Sequence, residues 1–164
     1  MMDHLYTPWR MAYIRGEKKP VDGCVFCALA AAPDDNNQVI AYSEYVYVTL
    51  NKYPYNNGHL LVAPKRHEKQ LCGLPVNEYD DINEALRRAV AIVGKIFNPG
   101  GINLGMNLGK CAGAGVEDHM HWHIVPRWEG DTNFMPVLSE TRVIPQHLLD
   151  CYDRLKPYFE NFME

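Results

Sequence analysis

Three histidines alternate with apolar residues at 118–126, where the sequence reads DHMHWHIVP. Successive side chains of a strand point to opposite faces, so His119, His121 and His123 would share one face, and the apolar residues would pack on the core. Buried imidazole nitrogens are costly unless a metal, a backbone carbonyl or an anionic ligand partners each one. The pattern favours three imidazoles that line the wall of a pocket over the alternative, a solvated or metal-scavenging surface strand.

A glycine-rich loop at 109–115 comes directly before these histidines. Small residues such as Gly113 and Gly115 let the backbone approach a ligand closely, and successive N–H groups can form a concave anion site. Most glycine-rich loops only turn the chain. In this position the loop predicts a phosphate cradle beside a nucleophile.

Five strand-like runs and two helical segments must position these residues. The long helix is predicted at 75–97, where apolar residues recur at steps of three and four, and a second helix at 147–162. Tight turns between the strands indicate antiparallel pairing. Helices grouped apart from such a sheet predict an α+β domain. The predicted strands are 38–42, 46–50, 58–64, 102–108 and 119–126.

Length, charge and cysteine content limit the class of protein. The 164 residues fit a single domain, 1–164, with an N-terminal arm at 1–30 and a C-terminal extension at 127–164. A net charge of −4 argues against nucleic acid as a partner. No apolar run is long enough to cross a membrane, and the first residues do not resemble a secretion signal. Five cysteines, an odd number, favour a cytoplasmic protein with reduced thiols.

The segment 119–125, HMHWHIV, resembles the signature of the histidine triad (HIT) superfamily. The flanking segments TPWRMAYI at 7–14, VPRW at 125–128 and GDTNF at 130–134 resemble the bacterial branch related to diadenosine tetraphosphate phosphorylase. The resemblance covers most of the chain. It implies the HIT-like α+β fold, with an antiparallel sheet of about five strands that continues across a homodimer.

The resemblance also implies a role for each histidine of the triad. His121 would attack the α-phosphorus of a nucleotide and form a covalent nucleotidyl-imidazole. His123 would bind the phosphate oxygens and stabilise the charge that develops on them. His119 would orient its neighbours or bind a metal.

Further residues match the nucleotide-binding positions of the family: Asn51 on the ribose side, His59, and Asn107 near the reacting phosphate. Backbone groups of Gly115 and Val116, after Gly113, would meet the phosphates. Several relatives carry a glutamine and a serine or threonine where this chain has Gly115 and Val116. This chain therefore offers no side-chain donors there.

Cys24 and Cys27 have the spacing of a chelating pair, and a tetrahedral zinc site needs two further ligands. His67 and His119 are the candidates, in a pattern similar to zinc sites elsewhere in the superfamily. The alternative is a pair of buried reduced cysteines. Because His121 is not among these ligands, we expect chelation to unfold the arm before it affects the chemistry. No organic cofactor is expected.

The predicted function is cleavage of a dinucleoside polyphosphate such as diadenosine tetraphosphate, with phosphate or water accepting the nucleotidyl group from the histidine. The same residues would serve a nucleoside phosphoramidate hydrolase or another nucleotidylyltransferase of the superfamily. A non-catalytic nucleotide-binding module with an idle triad is the alternative outside enzymes.

Overall fold

The structure, a computed structural model, describes residues 23–31, 39–131, 147–160 and 162. Residues 1–22 of the predicted arm and 132–146 of the predicted extension lie outside them. No helix in the described ranges is both long and apolar enough to cross a membrane. The main elements are α1 (Val25–Ala31), β1 (Val39–Tyr42), β2 (Val46–Leu50), β3 (Leu60–Pro64), α2 (Val76–Phe97), β4 (Gly101–Met106), β5 (Trp122–Arg127) and α3 (Leu148–Leu155).

The five strands form one sheet in the order β1-β2-β3-β5-β4, and every neighbouring pair is antiparallel. This arrangement confirms the predicted α+β fold with a five-stranded antiparallel sheet. Because β3 and β5 are neighbours, Leu61 lies opposite His123. The sheet therefore places the chain around residue 60 beside the histidine segment.

One face of the sheet is covered by α2 and α3. The apolar stripe of α2 packs here, with Ile82, Ala89 and Val93 fully buried. The helix begins one residue after its predicted start, with Pro75 as its N-cap, and ends where Asn98 adopts a left-handed conformation with φ of 45°. The prediction of a long amphipathic helix is confirmed.

The opposite face carries a smaller apolar cluster that includes Phe26 of α1 and Tyr47 and Leu61 of the central strands. Every residue of β2 and β3 is buried. Because both faces of these strands are covered, their sequences are continuous apolar runs rather than alternating ones. The histidines lie on this second face.

The start of β5 differs from the prediction. The sequence predicts a strand from His119, but the ladder begins at Trp122, because the Met120 N–H donates to the Glu68 carbonyl (2.7 Å), which is not part of a strand. The alternation of side chains persists, since Trp122 and Ile124 pack on the helix-covered core.

The remaining boundaries also differ from the prediction. β3 begins at Leu60 rather than at 58, and β4 covers 101–106 rather than 102–108. The terminal helix ends at Leu155 and continues as a 3-10 turn, Lys156–Tyr158, which contains a proline.

Gly58 supports a sharp turn before His59, and its substitution by alanine should destabilise the protein. Its φ is +68°, and an added Cβ would lie 2.6 Å from Cε2 of Phe97. Arg154 lies over the Phe97 ring, 4.8 Å from its centroid, and restricts its movement. We expect Gly58→Ala to lower the free energy of unfolding by roughly 1–3 kcal/mol, measured by urea denaturation.

Gly94→Ala is the matched control, because Gly94 lies inside α2 and an added Cβ there meets nothing within 4 Å. This change should stabilise the protein by up to about 1 kcal/mol. Equal effects of the two substitutions would contradict the proposed strain at Gly58.

Candidate active site and metal centre

His121 is buried, and one of its ring nitrogens is held by the backbone. Its Nδ1 lies 2.9 Å from the carbonyl oxygen of His119, which can only accept, so Nδ1 carries the proton. Burial lowers the pKa of His121 below its ordinary value. The ring is therefore neutral at pH 7, with the lone pair on Nε2.

His123 is oriented by a chain of three groups. The Tyr55 N–H donates to Nδ1 of His59 (3.0 Å), so a neutral His59 carries its proton on Nε2. That nitrogen lies 2.9 Å from Nδ1 of His123 and donates to it. A neutral His123 must then carry its proton on Nε2.

The donor at Nε2 of His123 is buried and has no hydrogen-bond partner in the part of the chain that the structure describes. Burial, and next the neighbouring His121, lower the pKa of His123 to about 4. The rings of His121 and His123 lie 5.0 Å apart. A nucleophilic nitrogen and an unsatisfied donor therefore lie on adjacent rings, which is the pairing that attack on a phosphate group requires.

His119 lies in a cluster with the cysteines. Its Nε2 donates to the Pro64 carbonyl (2.8 Å), which leaves the Nδ1 lone pair facing Cys24 Sγ at 3.3 Å and Cys27 Sγ at 3.5 Å. His67 Nδ1 lies 3.2 Å from Cys27 Sγ. The four ligand atoms all lie within 4.8 Å of one another, so the residues predicted as ligands come together.

These residues fit a tetrahedral metal ion. Zinc bonds of 2.0–2.3 Å place neighbouring ligand atoms roughly 3.3–3.8 Å apart, close to the three sulfur–nitrogen distances of 3.2–3.5 Å. The Pro64 carbonyl fixes the tautomer of His119, as partners of metal-bound histidines commonly do. Burial, and then the Cys24 thiol, raise the pKa of Cys27, so a cation is needed to hold this sulfur as a thiolate.

The predicted nucleotide-binding residues fall into two groups. Asn51 lies beside His59, with its Nδ2 at 3.4 and 3.5 Å from the two ring nitrogens, and therefore contacts the ring rather than one nitrogen. In the glycine loop, Asn107 Nδ2 donates to the Gly113 carbonyl (3.5 Å), and Gly113 has a φ of +89°. The Asn107 amide therefore contacts the glycine loop, whereas the Asn51 amide contacts an imidazole ring.

Gly115 is exposed, and an added Cβ there would meet nothing within 4 Å, so its backbone is open to a ligand. Val116 is half-buried, and its side chain packs on the cluster around Phe26. His59 is fully buried. Its contacts place it behind His123 rather than at the surface of a nucleotide site.

Sequence reasoning missed two aromatic residues of the site. Phe26 stacks on His121 with ring centroids 4.4 Å apart, and Tyr55 lies parallel to His123 at 5.6 Å. The position of Phe26 between two cysteine ligands was the only signal for the first. Nothing in the sequence marks Tyr55, which reaches His123 through the turn before β3.

A family model described as the HIT domain matches residues 32–130. The chain belongs to the HIT family. This HIT chain is 35% identical to an AP-4-A phosphorylase of Mycobacterium tuberculosis over 156 residues, covering 91% of the chain and 80% of that relative. It is also 34% identical to a bis(5'-adenosyl)-triphosphatase of Dictyostelium discoideum, covering 58% of the chain and 63% of that protein.

Among solved structures, a zinc-bound histidine triad protein from Mycobacterium smegmatis superposes on the HIT chain with a TM-score of 0.67 and 26% identity. The match covers 84% of this chain and 93% of that protein. With named relatives that are phosphorylases and polyphosphatases, the HIT chain is an enzyme of this family.

Because His123 titrates well below its ordinary value in the folded state, it should make stability depend on pH. Its pKa falls from 6.5 to about 4, so its contribution is present above pH 6.5 and is lost as the pH falls towards 4. We expect His123→Gln to reduce the loss of stability between pH 7.5 and pH 5. Urea midpoints of both proteins at both pH values test this, and an equal loss in the two proteins would contradict it.

Proposed function

We propose that this HIT enzyme transfers a nucleotidyl group from a dinucleoside polyphosphate through a covalent intermediate on His121. The observation that carries the proposal is the fixed pair of tautomers: Nδ1 of His121 donates to the His119 carbonyl, and the proton of His123 is directed to its unsatisfied Nε2. One ring is thereby prepared to attack, and its neighbour to donate.

In the first step the Nε2 lone pair of His121 attacks the α-phosphorus, and the bond from that phosphorus to the bridging oxygen breaks. The leaving nucleoside polyphosphate takes that electron pair. Nε2–H of His123 donates to a phosphate oxygen and stabilises the negative charge on it. This stabilisation is stronger in a buried site than in water. In the second step an oxygen of phosphate, or of a water molecule that gives up its proton to solvent, attacks the same phosphorus. The phosphorus–nitrogen bond breaks, and its electron pair returns to Nε2, which leaves His121 neutral.

The acceptor decides whether the enzyme is a phosphorylase or a hydrolase. Inorganic phosphate would yield ADP from an adenylyl-histidine, and water would yield AMP. The greater coverage of the relative named AP-4-A phosphorylase favours phosphate. The similarity to the relative named bis(5'-adenosyl)-triphosphatase supports water as the second candidate for the acceptor.

We propose two further roles beside the triad. His59 acts as a positioning residue, because its contacts fix the tautomer of His123. Asn51, with its amide against the His59 ring, and the Asn107–Gly115 loop form the edge of the nucleotide site, where exposed backbone can approach the phosphates.

The substrate assay should detect ADP from diadenosine tetraphosphate only when phosphate is present. Chromatography of the products with and without phosphate measures this, and AMP formed at the same rate in both would instead establish hydrolysis. His121→Asn should abolish both products while nucleotide binding persists.

His147→Asn serves as the matched control, since it replaces an exposed histidine at the N-cap of α3 with another residue suited to that position. It should leave turnover unchanged. Turnover that survives in His121→Asn would refute the mechanism.

We also propose that Cys24, Cys27, His67 and His119 bind zinc in a closed structural site, which joins α1 to the segment before β5. When bound, zinc would hold both cysteines as thiolates and restrain His119. The catalytic nitrogen of His121 is not among the ligands, so this ion is not placed on the reaction path.

Elemental analysis of protein purified without added metal should give about one zinc per chain. Cys27→Ser should reduce this below about half. Cys72→Ser, which changes an exposed thiol outside the cluster, should retain the metal. Substoichiometric zinc in the unaltered protein would contradict a closed site.

We propose, finally, that two chains pair through β4. This strand lies at one end of the sheet, and its residues are exposed or only half-buried, including Leu104, which is 49% exposed. An exposed edge with apolar residues favours pairing with another strand.

Sedimentation should show a dimer that Leu104→Glu converts to a monomer. Leu149→Glu, at an equally exposed leucine on α3, is the control and should remain dimeric. A monomer before any substitution would refute this assembly.

A further inference from the structure

His121 is contacted by one residue of the metal cluster, His119, and by Phe26, which lies between two cysteines of the cluster. Phe26 lies between Cys24 and Cys27 in sequence, and its ring stacks on the His121 imidazole with centroids 4.4 Å apart and an interplanar angle of 28°. The other contact is the carbonyl of His119, which accepts the Nδ1 proton of His121 at 2.9 Å. Both contacts therefore come from a ligand of the proposed metal site or from the residue between two ligands, although His121 is not itself a ligand.

Phe26 is held where it stands by its surroundings. It is 4% exposed, and its own carbonyl accepts a hydrogen bond from the buried Tyr47 hydroxyl (2.9 Å). The Cys24 carbonyl accepts from the Ala28 N–H, so the cysteine loop is the first turn of α1. Phe26 therefore shares one turn of backbone with both cysteine ligands, and its ring has little free space on the side away from His121.

We propose that Phe26 is a positioning residue that transmits occupancy of the metal cluster to the nucleophile. With a metal bound, the first turn of α1 holds the Phe26 ring against His121, and the His119 carbonyl accepts the hydrogen bond from Nδ1 of His121. Without the metal, both contacts loosen together. This inference rests on the proposed role of His121. It replaces the expectation that metal removal unfolds the arm before it affects the chemistry.

The first test removes the ring and leaves the ligands. In zinc-loaded protein with ¹⁵N-labelled histidine, the Nδ1 proton of His121 should give a hydrogen-bonded NMR signal in the unaltered protein. Phe26→Leu should lose this signal to exchange with water, and Phe26→Tyr, which keeps the ring, should restore it. Val25→Ala, at an exposed residue of the same turn, should retain it.

The rate of adduct formation on His121 with diadenosine tetraphosphate should follow the signal. We expect Phe26→Leu to lower the single-turnover rate by roughly tenfold to a hundredfold, with substrate affinity little changed. Zinc content and circular dichroism confirm that each variant is loaded and folded. A normal signal and a normal rate in loaded Phe26→Leu would overturn the proposal.

The second test asks whether metal and ring act through one route. Chelation should remove the signal and lower the rate in the unaltered protein, but add little further loss in Phe26→Leu. Independent, multiplying effects would overturn the proposal. If the chelated protein unfolds, the comparison of loaded variants still decides it. If no protein forms an adduct, the proposed function fails, while the NMR signal still tests the coupling.

Discussion

Burying the His121 and His123 rings side by side imposes one constraint on this site: both rings are neutral, and the hydrogen bonds that each ring makes must decide which of its nitrogens carries the proton. Two buried cations at the spacing of His121 and His123 would repel in a medium that solvates them poorly. A neutral ring has only one donor nitrogen, so whatever accepts that proton decides which nitrogen is left for chemistry. The hydrogen-bond partners of each histidine therefore decide which of its nitrogens is available for chemistry.

The fold supplies these hydrogen-bond partners from three directions. The His119 carbonyl accepts from Nδ1 of His121, and the Pro64 carbonyl, at the end of β3, accepts from Nε2 of His119. In the turn before β3, the Tyr55 N–H donates to Nδ1 of His59. Covering the second face of the sheet with Phe26 and its neighbours excludes water and lowers the pKa of the rings. Cys24 and Cys27 flank Phe26 at the start of α1, so two ligands of the proposed metal site and the ring that stacks on His121 share one element.

Short-range patterns in the sequence are enough to predict part of this arrangement. Alternation at 119–123 and the three-to-four spacing of α2 identify the histidine face and the helix, because each depends on neighbouring residues only. Long-range contacts could not be predicted. The start of β5 depends on Glu68, about fifty residues earlier in the chain, and the tautomer of His123 depends on a backbone N–H at Tyr55. In the sequence, Phe26 is only a residue between two cysteines, and its contact with His121 exists only in the folded chain.

The claim that Nε2 of His121 forms a bond to phosphorus is open to direct chemical trapping. Excess enzyme would be mixed with diadenosine tetraphosphate labelled at the α-phosphorus and quenched in alkali, which preserves a phosphorus–nitrogen bond. We expect to find label on the peptide containing residue 121 within a single turnover. Complete conversion of the substrate with no label on that peptide at any time would contradict it.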